Sequence, residues 1–493
     1  MPSEEVGVIV ETTLDWPLQN RVEIAVRDHL YTVGGRGISQ AGVVVIRNSD
    51  GAVLAMVGSR DYFDARRAGA VNVTTITRRP GSTLKPFVYA LALEAGDSPA
   101  TLAYDVVLPG ETRETYTHEV KQHGLGRYRE SLAGSYNLAA VHTLARVGPA
   151  SLVERLRRAG MTTFTDAPES YPLSLAIGEA EFRIIEYAGA FAAFGNGGRA
   201  VAPHAIKRVR VPGGLTYAPR AAAEPQRVFS PEVAYLVFDM LADPDARRPM
   251  FGSAAPVLLD FPVALKTGTT RAYTDDLAFG TTAEFTVGAW AGNFDGSPTA
   301  GVMAMQGAAP MVRAAFVALA ARFGTPTAPA RPATLERGPV CALSGMLPGP
   351  DCPHKHESFA PGTRPRTLCT WHRRQCGRRE VVWPPELAGW ARAHGLMPPA
   401  RAFDCPQATS GGATGAASGA LAIVYPADGA RFLLDPERPL ALQRPPLRAM
   451  PAGGAVRWTI DGIPVDRWQP APGSYVVKAA MGGAEREISI SFE

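Results

Sequence analysis

The spacing of apolar residues defines the first elements of the chain. Apolar and polar positions alternate over residues 8–14, which predicts a strand, and an amphipathic helix is predicted from Asp15 to about Leu30. Two further apolar runs, residues 43–46 and 53–57, flank a polar turn at 48–51. This arrangement predicts an antiparallel hairpin.

Helical spacing dominates the middle of the chain. Residues 86–194 are rich in Ala and Leu and end at a Gly/Asn turn, which predicts a long helical block. Strand patterns resume at 263–265 and 285–292. Because the helices are segregated from the strands, the predicted fold class is α+β, an antiparallel sheet with a helical subdomain beside it.

Two segments of biased composition divide the chain. Residues 325–332 are typical of an extended Pro-rich linker, and residues 408–420 form a Gly/Ala/Ser/Thr run that cannot bury a core. Short alternating strands follow and predict a small immunoglobulin-like β-sandwich; they lie at 421–425, 440–443, 456–460, 475–478 and 488–492. The predicted parts are a large domain (1–325), a linker and Cys-containing segment (326–407), a flexible linker (408–420) and the sandwich (421–493).

The composition is that of a folded protein. Hydrophobic residues make up 46% and charged residues 19% of the chain, which is a globular balance. The formal net charge is +4 with scattered basic residues, so no nucleic-acid partner is expected. No uninterrupted apolar window of about 20 residues is present and residues 1–5 lack a basic start, so neither a transmembrane helix nor a signal peptide is predicted.

Lysine is scarce in this sequence. Arginine stays protonated at any pH that a protein meets, whereas a desolvated lysine can lose its proton and act as a base. Each lysine is therefore a candidate for chemistry that arginine cannot perform. Only six of the 50 basic residues are lysine, namely Lys85, Lys121, Lys207, Lys266, Lys355 and Lys478.

The first candidate motif is the tetrad at residues 82–85, Ser-Thr-Leu-Lys. It follows Pro80-Gly81, so Ser82 is predicted at a helix N-terminus with Lys85 one turn later on the same face. A serine hydroxyl is a poor nucleophile until a base takes its proton, and a lysine held neutral by burial can do so. The tetrad therefore predicts a serine nucleophile with a lysine base.

Ser135-Tyr136-Asn137 is the second candidate motif, at a short break in the helical block. Its hydroxyl can relay a proton, and its amide can hold a peptide carbonyl.

The third motif, residues 266–269, ends an apolar run and is typical of a strand. Lys266 can bind a carboxylate and lower the pKa of a nearby lysine, while Thr267 and Gly268 would let a substrate lie along the strand. The Thr269 N–H is predicted to pair with the Ser82 N–H as an oxyanion hole.

Each motif alone has an ordinary structural explanation. Ser82 can cap a helix, Ser135 and Asn137 can form a turn, and Lys266 can lie on a solvated sheet edge. Their combination is more specific, because S-x-x-K, S-x-N and K-T-G occur once each and in this order. S-x-x-K, S-D-N and K-T-G together mark penicillin-binding proteins and class A β-lactamases.

The chain resembles class A penicillin-binding proteins of the 1C type over nearly its whole length. The matching segments are Thr12-Thr13-Leu14-Asp15 with Leu18-Gln19, residues 79–87, Leu175-Ala176-Ile177-Gly178-Glu179, residues 194–198, Cys341-Ala342-Leu343-Ser344-Gly345, Cys352-Pro353, Cys369-Thr370-Trp371-His372, and Trp458, Asp461-Gly462 and Pro472-Gly473 in the terminal sandwich.

This resemblance implies a role for each motif residue. Ser82 is similar to the family's acylated serine, Lys85 to its general base, and Ser135 and Asn137 to its proton-relay and substrate-holding pair. Residues 266–268 are similar to its substrate-binding strand. The implied reaction is attack of Ser82 on the D-Ala-D-Ala bond of a stem peptide, loss of D-alanine, and aminolysis of the acyl-enzyme, with β-lactams acylating the same serine.

The resemblance also implies a setting. It places the chain at the periplasmic face of the bacterial inner membrane, with peptidoglycan stem peptides and β-lactam antibiotics as ligands, no cofactor, and cell-wall synthesis proteins as candidate partners of the C-terminal module. Family members usually begin with a membrane helix and a glycosyltransferase domain, so no glycosyltransferase activity is expected from this chain.

The sequence departs from the family pattern after the third motif, where residues 274–277 replace the expected Arg-Asp-Ala-Trp.

The cysteines leave two interpretations open. His354, His356 and His372 lie near them, which is compatible with a zinc site. No C-x-x-C pair is present, however, so structural disulfides with one unpaired thiol are favoured and no metal is expected. The five cysteines, all outside the predicted catalytic domain, are Cys341, Cys352, Cys369, Cys376 and Cys405.

Two rival functions share these residues. In a β-lactamase or D,D-carboxypeptidase, water rather than an amine resolves the acyl-enzyme, but the chain length and the additional segments argue against it. A catalytically idle scaffold is the other rival, and the intact Ser82, Lys85 and Lys266 argue against that.

Overall fold

A computed structural model describes most of the chain. The described residues are 7–108, 122–211, 216–217, 224–252, 257–270, 273–375, 378–397, 421–426, 428–432, 434, 444–445, 447–450 and 456–492. They belong to two compact units, residues 1–405 and 406–493.

The first unit contains both helices and strands. Its helices are α1 (Trp16–Val33), α2 (Lys85–Glu94), α3 (Tyr128–Ala133), α4 (Asn137–Val147), α5 (Pro149–Arg158), α6 (Ile184–Phe191), α7 (Pro231–Ala242), α8 (Pro244–Phe251), α9 (Ala304–Gly307), α10 (Ala309–Phe323) and α11 (Pro385–Ala393). Its strands are β1 (Ile9–Thr12), β2 (Gln40–Arg47), β3 (Val53–Val57), β4 (Thr77–Arg78), β5 (Leu102–Asp105), β6 (Gly124–Arg127), β7 (Phe182–Arg183), β8 (Arg199–Ala200), β9 (Ile206–Arg210), β10 (Thr216–Tyr217), β11 (Gln226–Arg227), β12 (Ala264–Thr269), β13 (Asp275–Thr281), β14 (Phe285–Gly292), β15 (Glu336–Cys341), β16 (His354–Phe359), β17 (His372–Gln375) and β18 (Arg378–Val381).

A five-stranded antiparallel sheet with the order β12-β13-β14-β2-β3 forms the centre of this unit. Strand β2 is buried along almost its whole length because helices cover both faces of the sheet. Its side chains alternate between two cores: Val43 and Val45 pack with residues of α1 and α10, and Val44 and Ile46 pack with the helical block. The predicted α+β class and the hairpin of β2 and β3 are confirmed.

The first helix begins directly after Asp15, as predicted. The Asp15 carboxylate accepts a hydrogen bond from the Leu18 N–H at 3.1 Å and caps the helix. The same carboxylate forms an ion pair with Arg322 at 3.0 Å. Asp15 therefore fixes the start of α1 and links it to α10 beside the sheet.

One helical stretch has the length and hydropathy of a membrane span. Among the described residues, Ala304–Phe323 alone meets both criteria. Arg313 and Arg322 interrupt it, and Phe316 and Leu319 are fully buried in the core beneath the sheet. The stretch therefore packs as a core element of this unit.

The predicted helical block is interrupted by a hairpin. Strands β5 and β6 pair antiparallel within it, and the short strand β7 also lies in it, so the helical prediction is wrong at residues 102–105, 124–127 and 182–183. In β5, Ala103 and Asp105 are buried while Leu102 and Tyr104 are half-buried. This alternation is a strand pattern that the Ala- and Leu-rich surroundings obscured.

The segment that follows the first predicted linker packs back onto the β5–β6 region. Phe359 of β16 packs against Ala100, and Trp371 packs against residues of the β5–β6 region in a separate cluster. Arg129 of α3 forms an ion pair with the buried Glu357 of β16 at 2.5 Å. The segment therefore belongs to the first compact unit.

The disulfides predicted for this segment are wrong for three of its cysteines. Their sulfur atoms gather around one histidine instead of pairing, because the β15–β16 hairpin and the loops beside it bring several chain segments to one point. The three unpaired thiols are Cys341, Cys352 and Cys369. The remaining two cysteines, Cys376 and Cys405, lie outside the described residues.

The second unit contains strands only, in its described part. They are β19 (Ala422–Tyr425), β20 (Ala430–Phe432), β21 (Arg448–Met450), β22 (Arg457–Ile460), β23 (Ile463–Pro464), β24 (Gly473–Met481) and β25 (Ala484–Phe492). They form a five-stranded sheet with the order β20-β25-β24-β22-β23 and a two-stranded sheet of β19 and β21, around a small core that includes Trp468 and Phe492. The predicted all-β character is confirmed, and the predicted strand at 440–443 lies outside the described residues.

A backbone contact between two glycines supports the turn that carries Ser82. Gly178 follows the 3-10 helix Leu173–Ile177 with φ +90°, and a Cβ added to it would lie 2.2 Å from the Gly81 nitrogen. Gly81 itself has φ +53°. Only glycine combines this backbone conformation with so close an approach.

We expect Gly178→Ala to destabilise the first unit more than Gly160→Ala does. Gly160 has nearly the same φ, +94°, but no atom lies within 4 Å of its added Cβ, so its variant measures backbone strain alone, about 1 kcal/mol. The clash at Gly178 should lower the Tm of Gly178→Ala by at least about 4 °C more than that of Gly160→Ala. Differential scanning calorimetry measures both values. Equal Tm values for the two variants would contradict the proposed close contact.

Candidate active site

Ser82 lies in a 3-10 turn, Gly81–Leu84, that leads directly into α2. Within the turn Gly81, Thr83 and Leu84 are buried, whereas Ser82 is half-buried. The serine is therefore the residue of the turn that a ligand can reach. The prediction of a serine at a helix start, one turn before a lysine, agrees with this geometry.

Lys85 is fully buried at the first position of α2. Its Nζ donates to the Ser135 carbonyl oxygen at 2.5 Å and to Asn137 Oδ1 at 2.6 Å. Burial lowers the pKa of Lys85 to about 7, although the negative charge of Asp105 opposes the change. A substantial fraction of this lysine is therefore neutral near neutral pH.

Lys85 Nζ has two close hydrogen-bond acceptors, the Ser135 carbonyl oxygen and Asn137 Oδ1, and a third, more distant one in Ser135 Oγ. A neutral amine has two N–H groups and one lone pair, and both N–H groups have acceptors here. The lone pair remains for a proton from a neighbouring hydroxyl. The hydroxyl placed at this amine is Ser135 Oγ, at 3.4 Å. Ser82 lies one turn before Lys85, so its hydroxyl is proposed as the proton donor on the basis of the sequence spacing.

Ser135 and Asn137 lie where α3 ends and α4 begins. Ser135 has φ +62°, a left-handed conformation that is uncommon for residues other than glycine. Its Oγ accepts from Lys266 Nζ at 2.8 Å and lies 3.4 Å from Lys85 Nζ. The strained backbone therefore places this hydroxyl between the two lysines, where it can pass a proton.

Asn137 contributes the other half of this motif. Its Oδ1 accepts from Lys85, so the NH2 group is the part of the amide that can donate to a ligand carbonyl. The residue is exposed, at the first position of α4. The substrate-holding role of Asn137 stays a prediction, and the NH2 group is the part of the side chain that it would use.

Lys266 lies on β12, the edge strand of the central sheet. It is buried and also donates to the Thr267 carbonyl oxygen at 2.6 Å. Burial lowers the pKa of Lys266 well below its usual range, and the like charge of Lys85 adds to this effect. At Lys85, by contrast, burial is the cause of the lowered pKa, so the predicted help from Lys266 is not needed there.

Gly268 and Thr269 lie against the Ser82 turn. A Cβ added to Gly268 would lie 2.6 Å from the Pro80 carbonyl oxygen and 3.0 Å from the Thr83 nitrogen. The close approach that we expected to serve a substrate is thus made by the protein's own turn. Thr269 Oγ1 accepts from the Ala304 N–H at 2.9 Å, which fixes the end of β12.

Asp105 is a site residue that the sequence did not reveal. This fully buried carboxylate accepts from the His123 N–H at 3.0 Å, from His123 Nδ1 at 2.6 Å and from the Ala139 N–H at 3.1 Å. It joins β5 and β6 to the first turn of α4, which carries Asn137. The signal for it was weak, because a single acid in a short alternating run is common.

Asp276 marks the departure from the family pattern after the third motif. It is fully buried, and neither carboxylate oxygen completes a hydrogen bond in the described structure. Burial raises the pKa of Asp276 to about 7. The carboxyl therefore titrates near neutral pH beside the end of β12.

Three family models match the chain. The model described as penicillin binding protein transpeptidase domain covers residues 41–316, which is more than half of the chain. The model described as penicillin-binding protein 1A, C-terminal domain, covers residues 331–374, and the model described as penicillin-binding protein C-terminus family covers residues 411–490.

Individual proteins agree with these matches. Penicillin-binding protein 1C of Escherichia coli (strain K12) is 31% identical over 364 residues, which is 73% of this chain and 44% of the relative, so the chain spans less than half of that protein's length. Penicillin-binding protein 1A of Haemophilus influenzae has a similar fold, with a TM-score of 0.60, 19% identity, and coverage of 74% of this chain and 75% of the other. Penicillin-binding protein A of M. tuberculosis, solved as an imipenem acyl-enzyme complex, has a TM-score of 0.51, 20% identity, and coverage of 64% and 80%.

We expect Asp276→Asn to stabilise the chain at pH 8 by about 1–3 kcal/mol and less at pH 5. A carboxyl with a raised folded-state pKa loses stability as pH rises from its ordinary pKa toward about 7, and the asparagine variant lacks this loss. The measurement is the Tm of variant and wild type at both pH values. Asp166→Asn, at an exposed position, is the control, and an Asp276→Asn effect that is the same at both pH values would contradict the assignment.

Proposed function

The chain belongs to the penicillin-binding protein transpeptidase family, and from that premise we propose that it is a serine D,D-transpeptidase that crosslinks peptidoglycan stem peptides. The observation that carries the proposal is the fully buried Lys85, whose pKa is lowered to about 7 and which directly follows the turn that holds Ser82. A lysine that burial keeps partly neutral can take the proton of a serine hydroxyl and make the serine a nucleophile.

In the proposed first step, Lys85 accepts the Ser82 hydroxyl proton and Ser82 Oγ attacks the carbonyl carbon of the D-Ala-D-Ala bond. The C–O bond forms, and the tetrahedral oxyanion is held by the N–H groups of Ser82 and Thr269. The C–N bond then breaks, and the departing D-alanine amine takes a proton that reaches it through the Ser135 hydroxyl. The position of Ser135 Oγ between Lys85 and Lys266 supports this relay.

The proposed substrate-binding groups line β12 and the start of α4. An edge strand can accept a peptide by backbone pairing, and β12 is such a strand. Thr267, Gly268 and Thr269 would contact the peptide and its terminal carboxylate, with Lys266 behind them. The Asn137 amide would donate to a peptide carbonyl.

In the proposed second step, an amine from a neighbouring stem peptide attacks the ester carbonyl and regenerates Ser82. β-Lactams would enter the same reaction, because their ring amide offers Ser82 a carbonyl whose leaving group stays attached. The imipenem acyl-enzyme of penicillin-binding protein A from M. tuberculosis supports this for a protein of the same fold.

The family also suggests the setting and the division of the chain. We propose a transpeptidase domain at 1–325, a linker and Cys-containing segment at 326–407, a flexible linker at 408–420 and an immunoglobulin-like sandwich at 421–493. The site is proposed to work at the periplasmic face of the bacterial inner membrane. Cell-wall synthesis proteins are the proposed partners of the C-terminal module.

Incubation with a penicillin should give a stable covalent adduct that depends on Ser82. Intact-protein mass should increase by one penicillin on the wild-type chain and on Ser151→Ala, an exposed helix position, but not on Ser82→Ala. The adduct should persist for hours because water attacks the ester slowly. Rapid turnover would identify a β-lactamase instead, and folded wild-type protein without any adduct would refute the proposal.

The acylation rate should rise with pH through about 7, the pKa of Lys85, because only the neutral amine accepts the serine proton. Lys85→Arg should lower the rate by at least about 100-fold and remove the pH dependence, since arginine does not deprotonate. Stopped-flow kinetics with a chromogenic cephalosporin measures this. Lys207→Arg, at an exposed position of β9, should behave as wild type, and an active Lys85→Arg variant would exclude Lys85 as the base.

A further inference from the structure

Four side chains with metal-binding atoms converge in the segment that follows the transpeptidase domain. The sulfur atoms of Cys341, Cys352 and Cys369 and a ring nitrogen of His372 all lie within 4.8 Å of one another. The three cysteines are unpaired, and two of them are fully or almost fully buried. This cluster lies outside the proposed active site and takes no part in its chemistry.

The distances within the cluster are those of a tetrahedral metal site. Each of the three sulfur atoms lies 3.5 Å from His372 Nδ1. A single imidazole nitrogen has one proton or one lone pair, so it cannot form three equal hydrogen bonds. With Zn–S of about 2.3 Å and Zn–N of about 2.0–2.1 Å, tetrahedral angles place each sulfur about 3.5–3.6 Å from the nitrogen. The equal distances therefore indicate an atom at the centre.

The surroundings of the sulfur atoms suit thiolates. The Ser344 N–H donates to Cys341 Sγ at 3.4 Å, and the Ser344 hydroxyl donates to Cys369 Sγ at 3.1 Å. The Gly349 N–H donates to Cys352 Sγ at 3.3 Å. Each sulfur thus accepts a hydrogen bond from a neighbouring loop, as metal-bound thiolates do in proteins.

The backbone explains how ligands without a C-x-x-C pair meet. Cys341 ends β15 and pairs with His354 of β16, so the loop between them returns Cys352 to the end of the hairpin. The Cys369 N–H donates to the Leu347 carbonyl oxygen at 2.8 Å. This bond joins the segment before β17, which carries Cys369, to the loop between β15 and β16. Separate segments of the chain therefore deliver the four ligands.

We propose that Cys341, Cys352, Cys369 and His372 bind one zinc ion in a closed, structural Cys3His site. Thiolate and imidazole ligands in tetrahedral arrangement select Zn²⁺, and four protein ligands leave no open position for a substrate. This replaces the sequence-based expectation of disulfides and no metal. The inference does not depend on the proposed transpeptidase activity.

The site would hold the Cys-containing segment against the β5–β6 region. Trp371 lies between two of the ligands and buries its ring with Val106, the residue that follows β5. A Cβ added to Gly345, in the first ligand loop, would lie 1.9 Å from the Ala100 carbonyl oxygen. The metal therefore fixes loops that pack beside the hairpin carrying Asp105.

The test is the metal content of the whole chain, purified without chelators and measured by inductively coupled plasma mass spectrometry. We expect about one zinc per chain in the wild type and in His356→Ala, an exposed histidine of the same hairpin, and less than about a tenth of that in His372→Ala and Cys369→Ser. Zinc that is retained in both ligand variants, or absent from the wild type, would overturn the proposal.

Two further measurements on the wild-type chain cover the case in which the ligand variants do not fold. Replacement of the metal by Co²⁺ should give the visible bands of tetrahedral cobalt and a thiolate-to-cobalt charge-transfer band in the ultraviolet. Peptide mapping after alkylation under non-reducing conditions should find no disulfide between any two of the three cysteines. An octahedral cobalt spectrum, or a disulfide within this set, would refute the site.

Discussion

The active site depends on the burial of two lysine amines close to one hydroxyl group. Moving an ammonium group out of water costs several kcal/mol, and a second positive charge nearby adds to that cost. Hydrogen bonds to carbonyl oxygens offset part of this cost. Ser135 O and Asn137 Oδ1 accept from Lys85 Nζ, and Thr267 O accepts from Lys266 Nζ. Carbonyl oxygens favour the ammonium form less strongly than a carboxylate would, so the amines remain able to exchange protons.

Backbone geometry is the cost of this arrangement. Ser135 adopts a left-handed conformation that residues other than glycine seldom adopt. The turn that holds Ser82 is packed against the backbone of Gly178 and against β12 at Gly268. Asp105 joins the β5–β6 hairpin to the start of α4 by hydrogen bonds to His123 and to the Ala139 N–H. Contacts therefore hold the site on several sides, which suits a reaction that needs groups held within hydrogen-bonding distance before the substrate arrives.

The parts that could be predicted from the sequence are those with a local signal. The apolar alternation of β2 and β3, the Asp15 cap and the spacing of Ser82 and Lys85 are such signals, and the scarcity of lysine marks Lys266 as a candidate site residue. Contacts between distant segments leave no such signal. The β5–β6 pairing, the position of Asp105 and the convergence of the cysteines depend on which loops meet, and the absence of C-x-x-C wrongly favoured disulfides.

The glycine contacts around the Ser82 turn limit how this chain can evolve resistance to an inhibitor. At Gly178 an added side chain would strike the Gly81 backbone, and at Gly268 it would strike the backbone of the turn and the Thr83 methyl group. A substitution at either position moves the serine itself, and this affects inhibitor and natural substrate alike. Selection that separates the two ligands must therefore act on side chains outside the Ser82 turn and outside its contacts with Gly178 and β12.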